Sequence, residues 1–254
     1  PLTRLGAKFE FLGQPGCFPF EMHASGLRGG TVEIDARESS QMLSALLMLA
    51  PLAAAPLEIK LVGEVRWPFV AMTLRQMAQF GQPTAELAAR PASEFALPWG
   101  RPFAAAAAYP IEPDATAASY FLALPIATGG SVRVAGLPET GESLQGDLAF
   151  AGELARVGLQ LRREAGALVS TRQPGTPLRG IDADFNTFSD TFLTLAALAP
   201  LLDGPTTIRG LAHTRKQETD RVAGMAKELQ RLGQEVVETE DTLVITPRPL
   251  RAAE

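Results

Sequence analysis

The sequence predicts an α/β (α+β) fold of repeated units, with buried helices and outer mixed sheets, in two domains. Three observations lead there. Three helix-like segments end in an apolar residue followed by glycine: Met77-x-x-Phe80-Gly81, Leu154-x-x-Val157-Gly158 and Leu229-x-x-Leu232-Gly233. The glycines stand 77 and 75 residues apart. A second apolar helix with a small or polar start precedes each glycine by about 40 residues, and a short strand of alternating β-branched residues lies between each pair.

In the first unit, Ser39-Ser40-Gln41 opens a helix over 42–49, and residues 57–61 (Leu-Glu-Ile-Lys-Leu) alternate as a half-buried strand does. The apolar run 42–56 is broken by Ser44 and Pro51 and is too short to span a bilayer, so it reads as a buried helix. Gly81 ends the next helix because a residue without a Cβ turns into positive φ at no steric cost. The run from Phe103 through five alanines to Tyr109 is read as leading a strand toward the next unit. Pro110 and Pro113 punctuate the chain before Asp114, which places domains at 1–114 and 115–254.

The second unit begins at Thr116-Ala-Ala-Ser119, with a strand over 131–134 and a helix ending at Gly158. In the third, Ser189-Asp190-Thr191 opens a helix over 192–199 that is apolar nearly all round and so belongs inside. A strand over 206–209 follows. Val222, Met225, Leu229 and Leu232 then share one helical face, and strands at 234–238 and 242–246 close the unit.

With 46% apolar and 20% charged residues the chain is globular in composition, and a net charge of −5 provides no basic field for nucleic acid or anionic lipid. Cys17, the one cysteine, cannot form an internal disulfide, which points to a reducing cytoplasm. One cysteine and two well-separated histidines, His23 and His213, do not make a metal cluster. The chain starts at Pro1 without a signal-peptide pattern and is read as processed or truncated.

Candidate chemistry gathers at helix starts. Residues 213–221 hold three cations, Arg215, Lys216 and Arg221, and two acids, Glu218 and Asp220. One reading is a capped helix start, with Thr219 or its neighbour as the cap. The other sets Glu218 and Arg221, three apart, on one side, where a guanidinium grips an acidic substrate while a carboxyl handles protons. Ser39 and Ser40 are either a plain cap or, with free backbone amides at the positive end of a helix, a phosphate seat. Asp190 holds in the third unit the position Ser40 holds in the first, and by itself reads as a cap.

Taken in order, five segments resemble the 5-enolpyruvylshikimate-3-phosphate synthase family across essentially the whole chain. They are Ser39-Ser40-Gln41-Met-Leu-Ser-Ala-Leu-Leu-Met, Asp114-Ala-Thr-Ala-Ala-Ser-Tyr120, Gly146-Asp147, Asp190, and Lys216-Gln217-Glu218-Thr219-Asp220-Arg221-Val with Met225-Ala-Lys-Glu-Leu229. The resemblance implies the enolpyruvyl transferase fold, two similar domains each of three α/β units that close on substrates at a hinge. Residues 1–114 then resemble the later two units of one domain and 115–254 the first two of the other. The implied reaction transfers the enolpyruvyl group of phosphoenolpyruvate to the 5-hydroxyl of shikimate 3-phosphate and releases phosphate. It implies a cytoplasmic monomer with these two small-molecule substrates and no cofactor, metal, nucleic acid or membrane.

By position, Ser39, Ser40, Gln41, Arg66, His213 and Gln217 match shikimate 3-phosphate contacts. Asp190 matches the proton acceptor at the 5-hydroxyl, Glu218 the acid serving the phosphoenolpyruvate methylene, and Gln41 and Arg221 phosphoenolpyruvate contacts. Departures are Gln217 in place of a lysine, with Lys216 or Arg215 as the neighbouring cation to compensate, His213 in place of an asparagine, Arg66 in place of a serine and Phe69 in place of a tyrosine. The family's N-terminal lysine, glycine-rich segment, Asp-His-Arg motif and later cations have no counterparts in this sequence, so these 254 residues alone are not expected to turn over. The related UDP-N-acetylglucosamine enolpyruvyl transferases share fold and chemistry, but their glutamate segment differs from Glu218-Thr-Asp-Arg221. A silent chain that keeps only the fold is the remaining alternative.

Overall fold

A computed structural model describes residues 1–24, 26–37, 39–139 and 141–252. They form two compact units, Pro1–Tyr109 and Pro110–Glu254, each with its own core.

The first unit opens with a hairpin of β1 (Lys8–Phe11) and β2 (Phe20–His23). Then come β3 (Gly30–Asp35), α1 (Gln41–Leu49), β4 (Leu57–Val62), α2 (Trp67–Gln79), α3 (Ala85–Ala88) and β5 (Glu94–Leu97). Strands β3 and β4 are parallel, a pairing that needs the crossover α1 supplies, and β5 joins β4 antiparallel. Leu57 and Ile59 point into the core and Glu58 and Lys60 outward, as period-2 alternation requires. Leu43, Leu47, Val70 and Leu74 bury α1 and α2 against that sheet, and the Ser44 and Thr73 hydroxyls meet between the helices at 2.8 Å.

The second unit runs α4 (Ala115–Thr128), β6 (Gly130–Ala135), a 3-10 turn (Gly146–Ala149) leading into α5 (Phe150–Val157), β7 (Gln160–Glu164) and β8 (Ala167–Arg172). These strands form an antiparallel sheet in the order β6-β8-β7. Then follow β9 (Asp182–Asp184), a 3-10 turn (Ser189–Thr191) leading into α6 (Phe192–Leu198), and β10 (Thr206–Arg209). A 3-10 turn (Ala212–Lys216), α7 (Arg221–Arg231), β11 (Glu235–Glu238) and β12 (Leu243–Thr246) complete it, in a sheet ordered β11-β12-β10-β9 with β9 and β10 parallel. The four helices pack on one another, with Phe150, Leu154, Phe192, Leu195, Val222 and Leu229 at the contacts, and the sheets lie outside them.

Several expectations need correction. Residues 101–114 form no strand, because an alanine run offers no side chains to hold an edge; Tyr109 instead stacks on Phe80, and its hydroxyl bonds Gln79. Leu232 lies past the end of α7 and is exposed, and Ala226 takes its place in the core. The first helices of the units are not covered all round. Met42, Met48 and Leu49 of α1, and Tyr120, Phe121 and Leu124 of α4, face outward, since each sheet covers one side only.

Candidate active site

Both units place candidate residues beyond the C-terminal ends of two parallel strands. In the first, Asp35 of β3 lies opposite Val62 of β4, so the loops carrying Ser39 and Arg66 leave the same sheet edge, where α1 and α2 begin. In the second, Asp184 of β9 lies opposite Arg209 of β10, and the turns carrying Asp190 and His213 follow. Open α/β sheets bind ligands at this edge because loop amides and helix N-termini converge there. A glycine with φ of 78° follows the second strand in each unit, Gly63 and Gly210. A Cβ on Gly63 would come within 2.5 Å of the Arg37 side chain, and one on Gly210 would strike the Asp184 carboxylate. Only glycine lets the neighbouring loop lie that close.

In the first unit Ser40 is nearly buried and stands at the N-cap position of α1, but its hydroxyl does not cap. Its ψ of −8° is already helical, whereas a cap needs extended backbone to aim its oxygen at the first amides. Ser39 makes the local bond instead, its Oγ accepting from the Gln41 N–H at 3.2 Å. Gln41 is exposed. Arg66, half-buried, occupies the N-cap position of α2 without capping it. Arg37, which sequence reasoning missed, grips Asp35 with Nε at 2.9 Å and Nη2 at 2.5 Å and holds that carboxyl down at about 2. No periodicity marks such a loop cation.

In the second unit Arg221, the first residue of α7, bridges two acids. Its Nη1 donates to Asp190 Oδ1 at 2.7 Å and its Nη2 to Glu218 Oε2 at 2.5 Å. Burial works against its charge, but the bonds to Glu218 and Asp190 outweigh that and hold the guanidinium protonated more firmly than usual. The Glu218 carboxyl is held below the usual range by its own backbone N–H and then by Arg221. Asp220, rather than Thr219, caps α7, accepting from the Ala223 N–H at 2.9 Å. Asp190 is not a cap. It lies in the 3-10 turn before α6, whose cap position is Thr191, and its carboxylate goes to Arg221, because a charge-assisted bond outcompetes a neutral cap. His213 Nε2 shares a hydrogen bond of 2.8 Å with Ser189 Oγ, tying the loop after β10 to the Asp190 turn.

Gln217 is half-buried, and its Oε1 is buried without a hydrogen-bond partner among the described residues. Arg215, the cation two residues before it, is held by acids. Its guanidinium is spent on Asp220 at 2.9 Å, Glu238 at 2.8 Å and the Thr239 and Glu240 carbonyls, fastening this loop to the turn after β11. Asp147, noted earlier only within a matching segment, is 8% exposed, and its Oδ1 has no hydrogen-bond partner among the described residues. Burial, then the Asp190 charge, pushes its carboxyl up to about 6. Among the described residues one group, Glu10, Glu21 and His23, brings possible metal ligands within 4.8 Å of one another; it is exposed on the first unit's hairpin, outside the candidate residues.

The fold is that of the enolpyruvyl transferases. An EPSP synthase structure from Acinetobacter baumannii superposes with a TM-score of 0.69 at 22% identity, covering 98% of this chain and 55% of that one. The enolpyruvyl transferase NikO of Streptomyces tendae gives 0.60 at 15% identity, covering 96% and 56%. Residues 1–254 match the family model of EPSP synthase (3-phosphoshikimate 1-carboxyvinyltransferase), and the chain belongs to that family. A 3-phosphoshikimate 1-carboxyvinyltransferase of Opitutus terrae is 54% identical over 253 residues, all of this chain and 54% of the relative. One from Vibrio cholerae is 40% identical over 247 residues, 97% and 56%. The chain thus spans about half the length of the curated relatives it matches.

Proposed function

We propose that the whole protein transfers the enolpyruvyl group of phosphoenolpyruvate to the 5-hydroxyl of shikimate 3-phosphate and releases phosphate. The observation that carries the reading is the Asp190–Arg221–Glu218 cluster in a chain of this family. Adding a hydroxyl across an enol double bond requires a proton taken from oxygen and one given to the methylene carbon, so two carboxyls in distinct settings suit it. Asp190 is the acceptor at the 5-hydroxyl and Glu218 the donor to the methylene. Loss of phosphate with return of the methylene proton then leaves the enol ether. No electrons change hands overall, so no redox cofactor is called for.

Glu218 is ionised while Arg221 holds it, a state unsuited to giving a proton. Its side chain is 74% exposed, so water rather than packing surrounds it. The anionic groups of phosphoenolpyruvate take over the Arg221 fork, and Glu218, released, becomes basic enough to carry a proton. Ser39, Ser40, Gln41 and Arg66 hold shikimate 3-phosphate through its phosphate, with His213 and Gln217 on the same substrate and Gln41 also near phosphoenolpyruvate. The reaction runs in the cytoplasm.

Phosphate release by the whole protein, coupled to a colour reaction, tests the reading. Release is expected with shikimate 3-phosphate and not with UDP-N-acetylglucosamine; the reverse preference overturns it.

A further inference from the structure

The carboxyl of Asp147 is buried on the 3-10 turn Gly146–Ala149, which packs on the turn carrying Asp190 and on the start of α4. The turn is pinned there by Gln145, whose Oε1 accepts from the Ala115 N–H at 2.8 Å and whose Nε2 donates to the Pro113 carbonyl at 2.8 Å. The charged groups acting on Asp147 are both acids, Asp190 and Asp114, the cap of α4. On α5, Glu153 and Arg156 pair with each other, and the cation nearest in the network, Arg221, is engaged by Asp190 and Glu218. A buried carboxyl with an unpartnered oxygen beside two acids is costly to keep ionised, and a purely structural role would be filled as well by an amide.

We propose that Asp147 is a positioning residue for Asp190: a buried carboxyl whose negative charge, once its proton leaves, strengthens Asp190 as the acceptor of the hydroxyl proton. Two like charges in a site of low dielectric repel, and each makes the other hold a proton more tightly. Burial and its acidic neighbours hold the Asp147 carboxyl up at about 6, so its negative charge is present beside the Asp190 turn above that pH and absent below it. The proposal rests on the reading of Asp190 as that acceptor.

Carbon-13 carboxyl titration of the chain follows Asp147 directly. Its midpoint is expected near 6 and falls in Asp190→Asn, where a repelling charge is gone. In the whole protein kcat is expected to rise with pH through the same range. Asp147→Asn removes that rise and lowers kcat about tenfold above it, with KM for shikimate 3-phosphate unchanged. A midpoint unmoved by Asp190→Asn overturns the proposal even if Asp147→Asn fails to fold. So does an Asp147→Asn profile that matches wild type or is lowered equally at every pH, the mark of a merely structural role. If the wild-type whole protein releases no phosphate while the Asp147 midpoint still falls in Asp190→Asn, the functional reading fails and the coupling stands.

Discussion

Asp147, Glu218 and Asp220 of the second unit are each set by their surroundings more than by their residue type. Asp190→Ala and Glu218→Ala are expected to lower turnover of the whole protein at least about 100-fold, as removal of proton-transfer groups does. Glu218→Ala should leave shikimate 3-phosphate binding intact, and steady-state kinetics with calorimetric titration separates the two effects. Near-normal turnover in a folded variant would remove that residue from the mechanism. Asp147 also gives a stability prediction. Its carboxyl moves up from 3.8 to about 6, so the native state binds the proton more tightly than the unfolded chain. The stability this adds is fully present below the ordinary range and is lost as pH rises through about 6. The loss amounts to about 3 kcal/mol for a shift of this size. Asp147→Asn should therefore unfold at higher urea than wild type at pH 7.5 and at nearly the same urea at pH 4. Equal gains at both pH values would show that ionisation is not the cause.

Among the elements, the two parallel pairs, β3 with β4 and β9 with β10, decide which loops meet. Ser39 and Ser40 divide the work at the start of α1, so their alanine variants should differ. Ser39→Ala loses the bond to the Gln41 amide and should cost about 1 kcal/mol, while Ser40→Ala, with no cap to lose, should cost less. If both hydroxyls seat the 3-phosphate, the double change weakens shikimate 3-phosphate severalfold, each lost bond to a charged group being worth roughly 1.5–3 kcal/mol, and leaves shikimate unaffected. Calorimetry that shows equal losses for both ligands, or none, returns the pair to a local structural role. Arg215 makes the loop of Glu218 an integral part of its sheet. Arg215→Met removes the partner of Asp220 and Glu238 and should lower the urea midpoint, by about 1 kcal/mol of stability, since both carboxylates keep contact with water.

On the scale of the molecule, two cores with no residue in common are separated along the sequence by an exposed, irregular alanine stretch. Elastase is expected to cut first within residues 104–108, since exposed chain with small side chains is the usual site of nicking. Both products should keep cooperative unfolding and helical circular dichroism. A first cut elsewhere, or melting of either product on cleavage, would show that neither unit holds its fold by its own core.

The sequence by itself determined the repeats, the three terminating glycines, with φ of 85°, 125° and 85°, and the facing of Glu218 and Arg221. These are short-range matters: a period, a missing Cβ, a spacing of three. Family likeness pointed to Asp190, but alone it read as a cap. Its use as a partner of Arg221, 31 residues away, and the Ser189–His213 bond across 24 residues exist only because β9 and β10 run parallel and end together. Tertiary structure also fastened Arg215 to Asp220 and Glu238, left the outer sides of α1 and α4 uncovered and buried Asp147 beside the Asp190 turn. Charge and proton affinity depend on which groups come within a few ångströms and on how much water is excluded, and both quantities are set by packing between segments distant in the chain.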